Sequence, residues 1–407
     1  MSNEPPPDST DAVRIERPAT GGGVGRLSDG RVVFVRHSLP GELVRVAVTE
    51  STAKFSRADA IEVLDASVDR VSAPCPYAHP GGCGGCDLQH ASPRGQSAWK
   101  AALVTEHLRR IAGVDRDVSV TPSGVDARGS RTRLRCGVDE EGRLGLRGVR
   151  SHDLTVIDAC WIASTDLAPA FTTSWEGADE VELRAIGEGD PFALVRRVTD
   201  RGTMYELCSL RGEPLDPSTQ SRVAVDGHYY SVSPRSFWQS HRAAPQLLLD
   251  AVTSFAQVSA NDHVVDLFSG VGLFAIPLAK LVGPGGRVTA VESSPYAVRD
   301  ARHNGDGLRQ LRVREWTVSA RAINDAVGAG DVVICDPPRS GLAKGVVDAI
   351  ARRAPRRLVY VSCDAATFAR DLKALLLRGF LLSELAVFDL FPMTEHVELV
   401  AVLDNTP

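Results

Sequence analysis

From residue 262 to the C-terminus, short apolar runs alternate with segments able to form helices. The runs are HVVDLF (263–268), RVTAVE (287–292), LRVREW (311–316), DVVICD (331–336) and RLVYVS (357–362). Each is too short for a helix of ordinary length and rich in β-branched residues, so each reads as a strand. Strands separated by helices pair through crossovers rather than hairpins. The pattern therefore predicts an α/β fold with a doubly wound, parallel sheet covered by helices on both faces. Ligands in such folds sit beyond the carboxyl ends of the strands, so the residues that close these runs are where chemistry is expected.

The first run leads into DLFSGVGLF (266–274). Gly270 and Gly272 allow a tight turn and a close approach of backbone to ligand, and Phe268 shares that turn. Ala275 stands where the dinucleotide signature requires a third glycine. Glu292 closes the second run, where a carboxylate can accept hydrogen bonds from ribose hydroxyls. An acid, two glycines and a second acid in this arrangement resemble the S-adenosylmethionine site of class I methyltransferases, with another kind of nucleotide-binding domain as the alternative. The fourth run ends in CDPPRSGL (335–342), which places Asp336 at the ligand end before two stiffening prolines. The fifth ends in VSCDAATFARDL (361–372). Cys363 there precedes a helix, whose N-terminal partial charge is expected to lower the thiol pKa. FPMTEHVE (391–398) adds Glu395 and Glu398. Glu398 is either a base beside a nucleophilic cysteine or a plain strand-edge acid.

The first 260 residues read differently. Residues 1–11 are polar and Pro-rich and are expected to be disordered. Glycine turns and period-two alternation over 21–50 predict a small β-barrel spanning 12–70. CPYAHPGGCGGCDLQH (75–90) then packs Cys75, Cys83 and Cys86 into twelve positions of a chain with eight cysteines. So few cysteines in 407 residues do not make a disulfide framework, and a cluster of this kind points to metal binding or redox chemistry. A fourth ligand must come from elsewhere, with Cys136 and Cys160 equally placed. Four thiolates suit an iron–sulfur cluster or a structural zinc. Residues 127–150 hold seven arginines against three acids, although the whole chain carries a net charge of −5. That stretch is either a strand pair facing nucleic acid or a solvated hairpin, and the general excess of Arg over Lys, 41 to 5, favours neither. No apolar run approaches the length of a membrane span, and the N-terminus lacks a signal-peptide core, so a cytoplasmic protein is expected.

In this order the segments resemble the RNA 5-methyluridine methyltransferases that act on tRNA or 23S rRNA. GRLSDGRVVFVRHSLPGE is similar to their TRAM domain, an OB-type barrel that binds RNA. The cysteine segment is similar to their iron–sulfur segment, and GRLGLRGVRSHDLTVIDAC to part of their central α+β domain, here taken as 71–230. SPRSFWQS, DPPRSGL, VSCDAATFARDL and FPMTEHVE match segments of a class I methyltransferase domain over 231–407. The resemblance implies S-adenosylmethionine contacts from Gln239, Phe268, Gly270, Gly272, Glu292 and Asp336. It implies Cys363 as nucleophile and Glu398 as base, with a [4Fe–4S] cluster on Cys75, Cys83, Cys86 and Cys160. It implies an RNA partner offering a single-stranded loop uridine, with 23S rRNA favoured. Leu273 and Ala365 depart from residues frequent in the family. An RNA 5-methylcytidine methyltransferase, a non-catalytic RNA-binding assembly factor and an iron–sulfur redox protein are the rival readings.

Overall fold

The computed structural model describes residues 11–200 and 202–405. Of the tail expected over 1–11, only Asp11 falls within them, and it belongs to the first unit. Its carbonyl accepts from Val46 N at 3.1 Å and its carboxylate from Ser28 Oγ at 2.8 Å. Strands Ala12–Arg14 and Arg17–Ala19 lie at opposite edges of one six-stranded sheet. Two residues separate them, so one stretch pairs at both edges and the sheet curls into a barrel, which removes its free edges. Alternation along Val32–Arg36 and Leu43–Ser51 turns Val33, Val35, Val44 and Val46 inward against Val13 and Ile15.

The cysteine segment follows, held mainly by turns such as Ala78 N to Cys75 O and Cys83 N to Tyr77 O. Helix Pro93–His107 then begins with Pro93 and a Ser92 hydroxyl that accepts from Gly95 N, a standard N-cap arrangement. Gly113, at φ +73°, ends the turn Leu108–Ala112 that continues it. Val104, Leu108 and Ala112 are buried with Phe368, Leu372 and Leu399 of the C-terminal domain. Strand Val120–Pro122 adds to the far edge of that domain's sheet beside Phe380–Asp389. Residues 93–122 therefore build the catalytic core, and the expected central unit over 71–230 is interrupted. The apolar face of this helix finds its partner on helix Ala365–Leu376 rather than on the central sheet.

The central sheet is antiparallel throughout. Its strands run in the order Leu154–Val156, Leu144–Arg147, Arg133–Val138, Glu180–Arg184, Phe192–Thr199, Gly202–Ser209. Much of the basic charge of 127–150 is spent inside it: Arg133 pairs with Glu182, Arg135 with Glu180 and Arg143 with Asp139. The hairpin Ser221–Val225 and His228–Val232 packs Val223, Val225, Tyr230 and Val232 against helix Ala244–Ala256. The catalytic domain thus begins near residue 221, not at 231, because that boundary would cut a hairpin whose apolar side belongs to its core.

The eight-stranded catalytic sheet runs Leu311–Glu315, Arg287–Glu292, His263–Leu267, Val332–Cys335, Arg357–Ser362, Glu398–Asn405, Phe380–Asp389, Val120–Pro122. The first five are parallel, and Glu398–Asn405 pairs antiparallel with both neighbours. The chain order reverses at His263–Leu267, so the crevice for a ligand opens there. Among the described residues no helix is long and apolar enough to cross a membrane.

Candidate active site

Strand His263–Leu267 is buried from Val264 onward, and it ends in Phe268 at φ +62°. A bulky residue in the left-handed region is strained, and such strain gathers at functional turns. Gly270 at φ +54° and Gly272 at φ +97° complete the turn. The Gly270 N–H donates to Glu292 Oε2 at 3.0 Å, while Ser293 N and Ser294 N each donate to Glu292 Oε1 at 2.7 Å. Glu292 thereby fixes the loop and keeps lone-pair capacity on Oε2 for a hydroxyl. Asp266, the acid that opens the glycine motif, is fully buried and both its carboxylate oxygens lack a hydrogen-bond partner. The Ala275 N–H approaches it only loosely. Burial, then neighbouring Asp336, push its pKa well above the usual carboxylate range. Ser269 Oγ is likewise buried and unpartnered. Orphaned polar groups beside two positive-φ glycines form a cradle that a polar ligand completes. S-adenosylmethionine, with its ribose hydroxyls and ammonium group, fits that donor and acceptor set.

Asp336 follows strand Val332–Cys335 and Cys363 follows Arg357–Ser362. Ser362 pairs with Leu399 across the antiparallel ladder, so the next position in register sets Cys363 against Glu398. Glu398 is 4% exposed. Burial, then Asp336, raise its pKa well above normal, and burial raises Asp336 to about 7. The Cys363 thiol does not have the lowered pKa expected from sequence. Burial, then Glu398 and Asp336, push it up to about 12. The helix after it starts at Ala365 and is capped by Asp364, whose carboxylate accepts from Thr367 N at 2.9 Å. Arg339 offsets part of this, and is itself held by the His396 ring at 3.3 Å. Glu395, the other acid of this segment, points away and accepts from Gly21 N of the barrel at 2.8 Å. Gln239 lines a cavity with Thr132, Val225 and His241.

Cys75, Cys83, Cys86 and Cys160 converge on a third place. They line one cavity of about 180 Å³ whose walls include Leu134, Leu146, Ile157 and Trp161. Cys136 is instead buried within the central core. Among the described residues no three potential ligands stand close enough to grip a single ion. Four sulfurs round an apolar cavity suit a larger polynuclear group, although the thiols are free in this structure.

A parallel sheet with this glycine turn, an acid on the second strand and a carboxylate–thiol site at the strand ends defines a class I, S-adenosylmethionine-dependent methyltransferase. The family profile described as tRNA (Uracil-5-)-methyltransferase matches residues 326–406, and the TRAM domain profile matches 9–61. An uncharacterised RNA methyltransferase of Streptomyces avermitilis is 39% identical, over 94% of each chain. A 23S rRNA (uracil(1939)-C(5))-methyltransferase of Acinetobacter baylyi is 31% identical, over 92% of this chain and 89% of that one. The solved tRNA (uracil-54, C5)-methyltransferase of Pyrococcus abyssi, in complex with S-adenosyl-L-homocysteine, is 26% identical with TM-score 0.69, covering 96% of this chain and all of that one. The chain belongs to the RNA uracil-5-methyltransferase family.

Proposed function

We propose that the protein methylates C5 of a uridine in 23S rRNA through a covalent adduct between Cys363 and C6 of the base. The observation that carries the reading is the strand register that sets Cys363 across from Glu398, with Asp336 close enough to perturb both. S-adenosylmethionine, when bound, supplies an electrophilic methyl on a sulfonium. C5 of uracil is too weak a nucleophile to take it unaided, and covalent addition at C6 makes C5 enolate-like. Two anions cannot sit side by side in so buried a site, so the reactive state carries the thiolate on Cys363 and the proton on Glu398. With the proton on Glu398, the Cys363 thiolate forms the S–C6 bond and the electron pair of C5=C6 moves toward O4. Glu398 gives its proton to O4, and loss of the thiolate charge lets the carboxylate ionise. As C5 forms its bond to the methyl and the methyl–sulfonium bond breaks, the C4 carbonyl re-forms and its O4 proton passes to water; Glu398 then takes the C5 proton, the C5=C6 bond re-forms and Cys363 leaves as thiolate.

Gln239, Phe268, Gly270, Gly272, Glu292 and Asp336 are proposed to hold cofactor and base, Gln239 through a movement of its loop when ligands enter. Cys75, Cys83, Cys86 and Cys160 would hold a [4Fe–4S] cluster that braces the segment 75–90 in a reducing cytoplasm. Preference for 23S rRNA rests on the stated target of the Acinetobacter relative, which exceeds the Pyrococcus tRNA enzyme in identity. The target uridine leaves its stack at a cost of a few kcal/mol, least in a single-stranded loop. The test is to incubate anaerobically prepared protein with S-adenosylmethionine and fractionated RNA from cells lacking the gene, then identify new nucleosides by mass spectrometry. 5-Methyluridine in 23S rRNA is expected. The same nucleoside in tRNA alone would move the substrate, and 5-methylcytidine would overturn the reading.

A further inference from the structure

Where the central sheet meets the catalytic domain, the surface carries a chain of rings and guanidinium groups that neither core requires. Tyr205, on strand Gly202–Ser209, is 47% exposed, and Phe237 is 54% exposed. Rings of this size ordinarily fill cores or interfaces. Arg235 lies between two rings, its guanidinium carbon 5.0 Å from the centre of Tyr205 and 5.3 Å from that of Tyr296. It also donates a hydrogen bond to Tyr296 Oη at 2.8 Å. Arg299, three residues along the same helix Pro295–Asn304, is 5.4 Å from the Tyr296 ring centre. Arg133 of the central sheet sits 6.0 Å from Phe237. The alternation Tyr205–Arg235–Tyr296–Arg299 thus crosses from one domain to the other and ends on the helix that follows Glu292.

Charge distinguishes the members. Arg133 is neutralised by Glu182. Arg235 hydrogen-bonds a phenol, which leaves its charge available. Flat π faces alternating with available guanidinium groups match a polymer that offers a flat base and an anionic phosphate at every step. A duplex hides its base faces, and an acidic peptide would answer the charges while leaving the rings without a stacking partner. We propose that Tyr205, Arg235, Tyr296 and Arg299, with Phe237 alongside, form a stacking platform for the single-stranded RNA that flanks the target uridine. The proposal rests on the RNA-methylation reading above and adds the surface that guides the strand. Tyr296 stands four residues after Glu292, so a strand lying on the platform is led toward the carboxyl ends of the catalytic sheet.

The test uses the full chain and a fluorescent oligouridylate of about 12 nucleotides, a length within the usual single-strand site sizes. Its affinity is measured for wild type, Tyr205→Ala, Tyr205→Trp and Arg235→Ala, with S-adenosylmethionine affinity measured on the same samples. Tyr205→Ala is expected to weaken RNA binding by between about fivefold and a hundredfold, the usual range for one lost stacking partner. Tyr205→Trp should restore it. Arg235→Ala should weaken binding and lower the slope of log affinity against log salt by about 0.7, the value for one phosphate contact on a single strand. Cofactor affinity should not change. Unchanged RNA affinity in both alanine variants overturns the platform, as does equal displacement of the oligonucleotide by polyglutamate. Neither result touches the methylation reading, which fails separately if wild-type protein forms no methylated nucleoside.

Discussion

At the scale of single residues, the thiol at the centre of the site behaves opposite to the rule its position suggests. A cysteine before a helix is expected to be acidified, and the sequence supports that expectation. Burial, then the two carboxylates that the fold places beside it, raise Cys363 to about 12, while Asp364 takes the helix cap. The thiolate fraction of such a group grows about tenfold per pH unit below its pKa. Single-turnover methylation should therefore climb between pH 6 and 9; a flat profile would mean that bound RNA removes the proton by another route. Cys363→Ala should abolish methylation while retaining S-adenosylmethionine. Glu398→Gln should slow turnover by roughly 10²–10⁴, the range for loss of one general base, and accumulate an RNA–protein adduct stable to denaturing gels. An active Cys363→Ala variant would assign the nucleophile elsewhere. The buried acid also has a cost for folding. Its proton is held more tightly in the folded chain than in the unfolded one, so it contributes no penalty below the unfolded carboxylate pKa and destabilises increasingly as pH rises above it. The melting temperature of Glu398→Gln should consequently exceed that of wild type by a margin that widens from pH 5 to pH 8. A margin independent of pH would show that Glu398 keeps an ordinary pKa.

At the scale of elements, the glycine turn shows what sequence can and cannot specify. Gly270 and Gly272 are legible because their φ values of +54° and +97° suit almost no other residue. Tightness around the turn is not legible. A Cβ on Gly272 would fall 2.8 Å from Ile276 Cδ1, the first turn of helix Ala275–Val282. Gly272→Ala combines that contact with left-handed backbone strain, costs of about 1–3 kcal/mol together, and should lower cofactor affinity at least tenfold in calorimetry. Unaltered affinity would place the cofactor away from this turn. The orphaned Asp266 carries a similar lesson. From sequence it is the acid that opens the glycine motif, and its lack of partners appears when Asp336 and the glycine turn are folded round it. The strands and the residues that close them are readable because a parallel sheet forces each run to be apolar and to end at the ligand. The arginines of 127–150 are not, because Arg133 and Arg135 pair across strands with Glu182 and Glu180, 49 and 45 residues further along the chain, where no local signal reaches.

At the scale of the whole molecule, the helix Pro93–His107 ties the cysteine segment to the catalytic core. Lys100 on it is fully buried and paired with Asp389 at 2.5 Å, while Gln96 accepts from Met393 N at 2.9 Å. Leu88, just past the cysteines, donates its N–H to Met393 O, in the same loop that leads to Glu398. Order in the cysteine segment is thereby coupled to the loop that leads to Glu398. Sequence does not separate Cys136 from Cys160; the fold buries Cys136 in the central core, whereas Cys160 lines the cavity shared by Cys75, Cys83 and Cys86. Cys160→Ser should thus lose iron and acid-labile sulfide from anaerobically purified protein, where wild type and Cys136→Ser hold about four of each per chain. The same Cys160→Ser variant should become susceptible to proteolysis within 75–90 and lose part of its methylation rate, because the loop before Glu398 loses the support at Met393. Zinc in place of iron, or iron lost from Cys136→Ser rather than Cys160→Ser, would show that the cavity holds a different group or that a different thiol completes it.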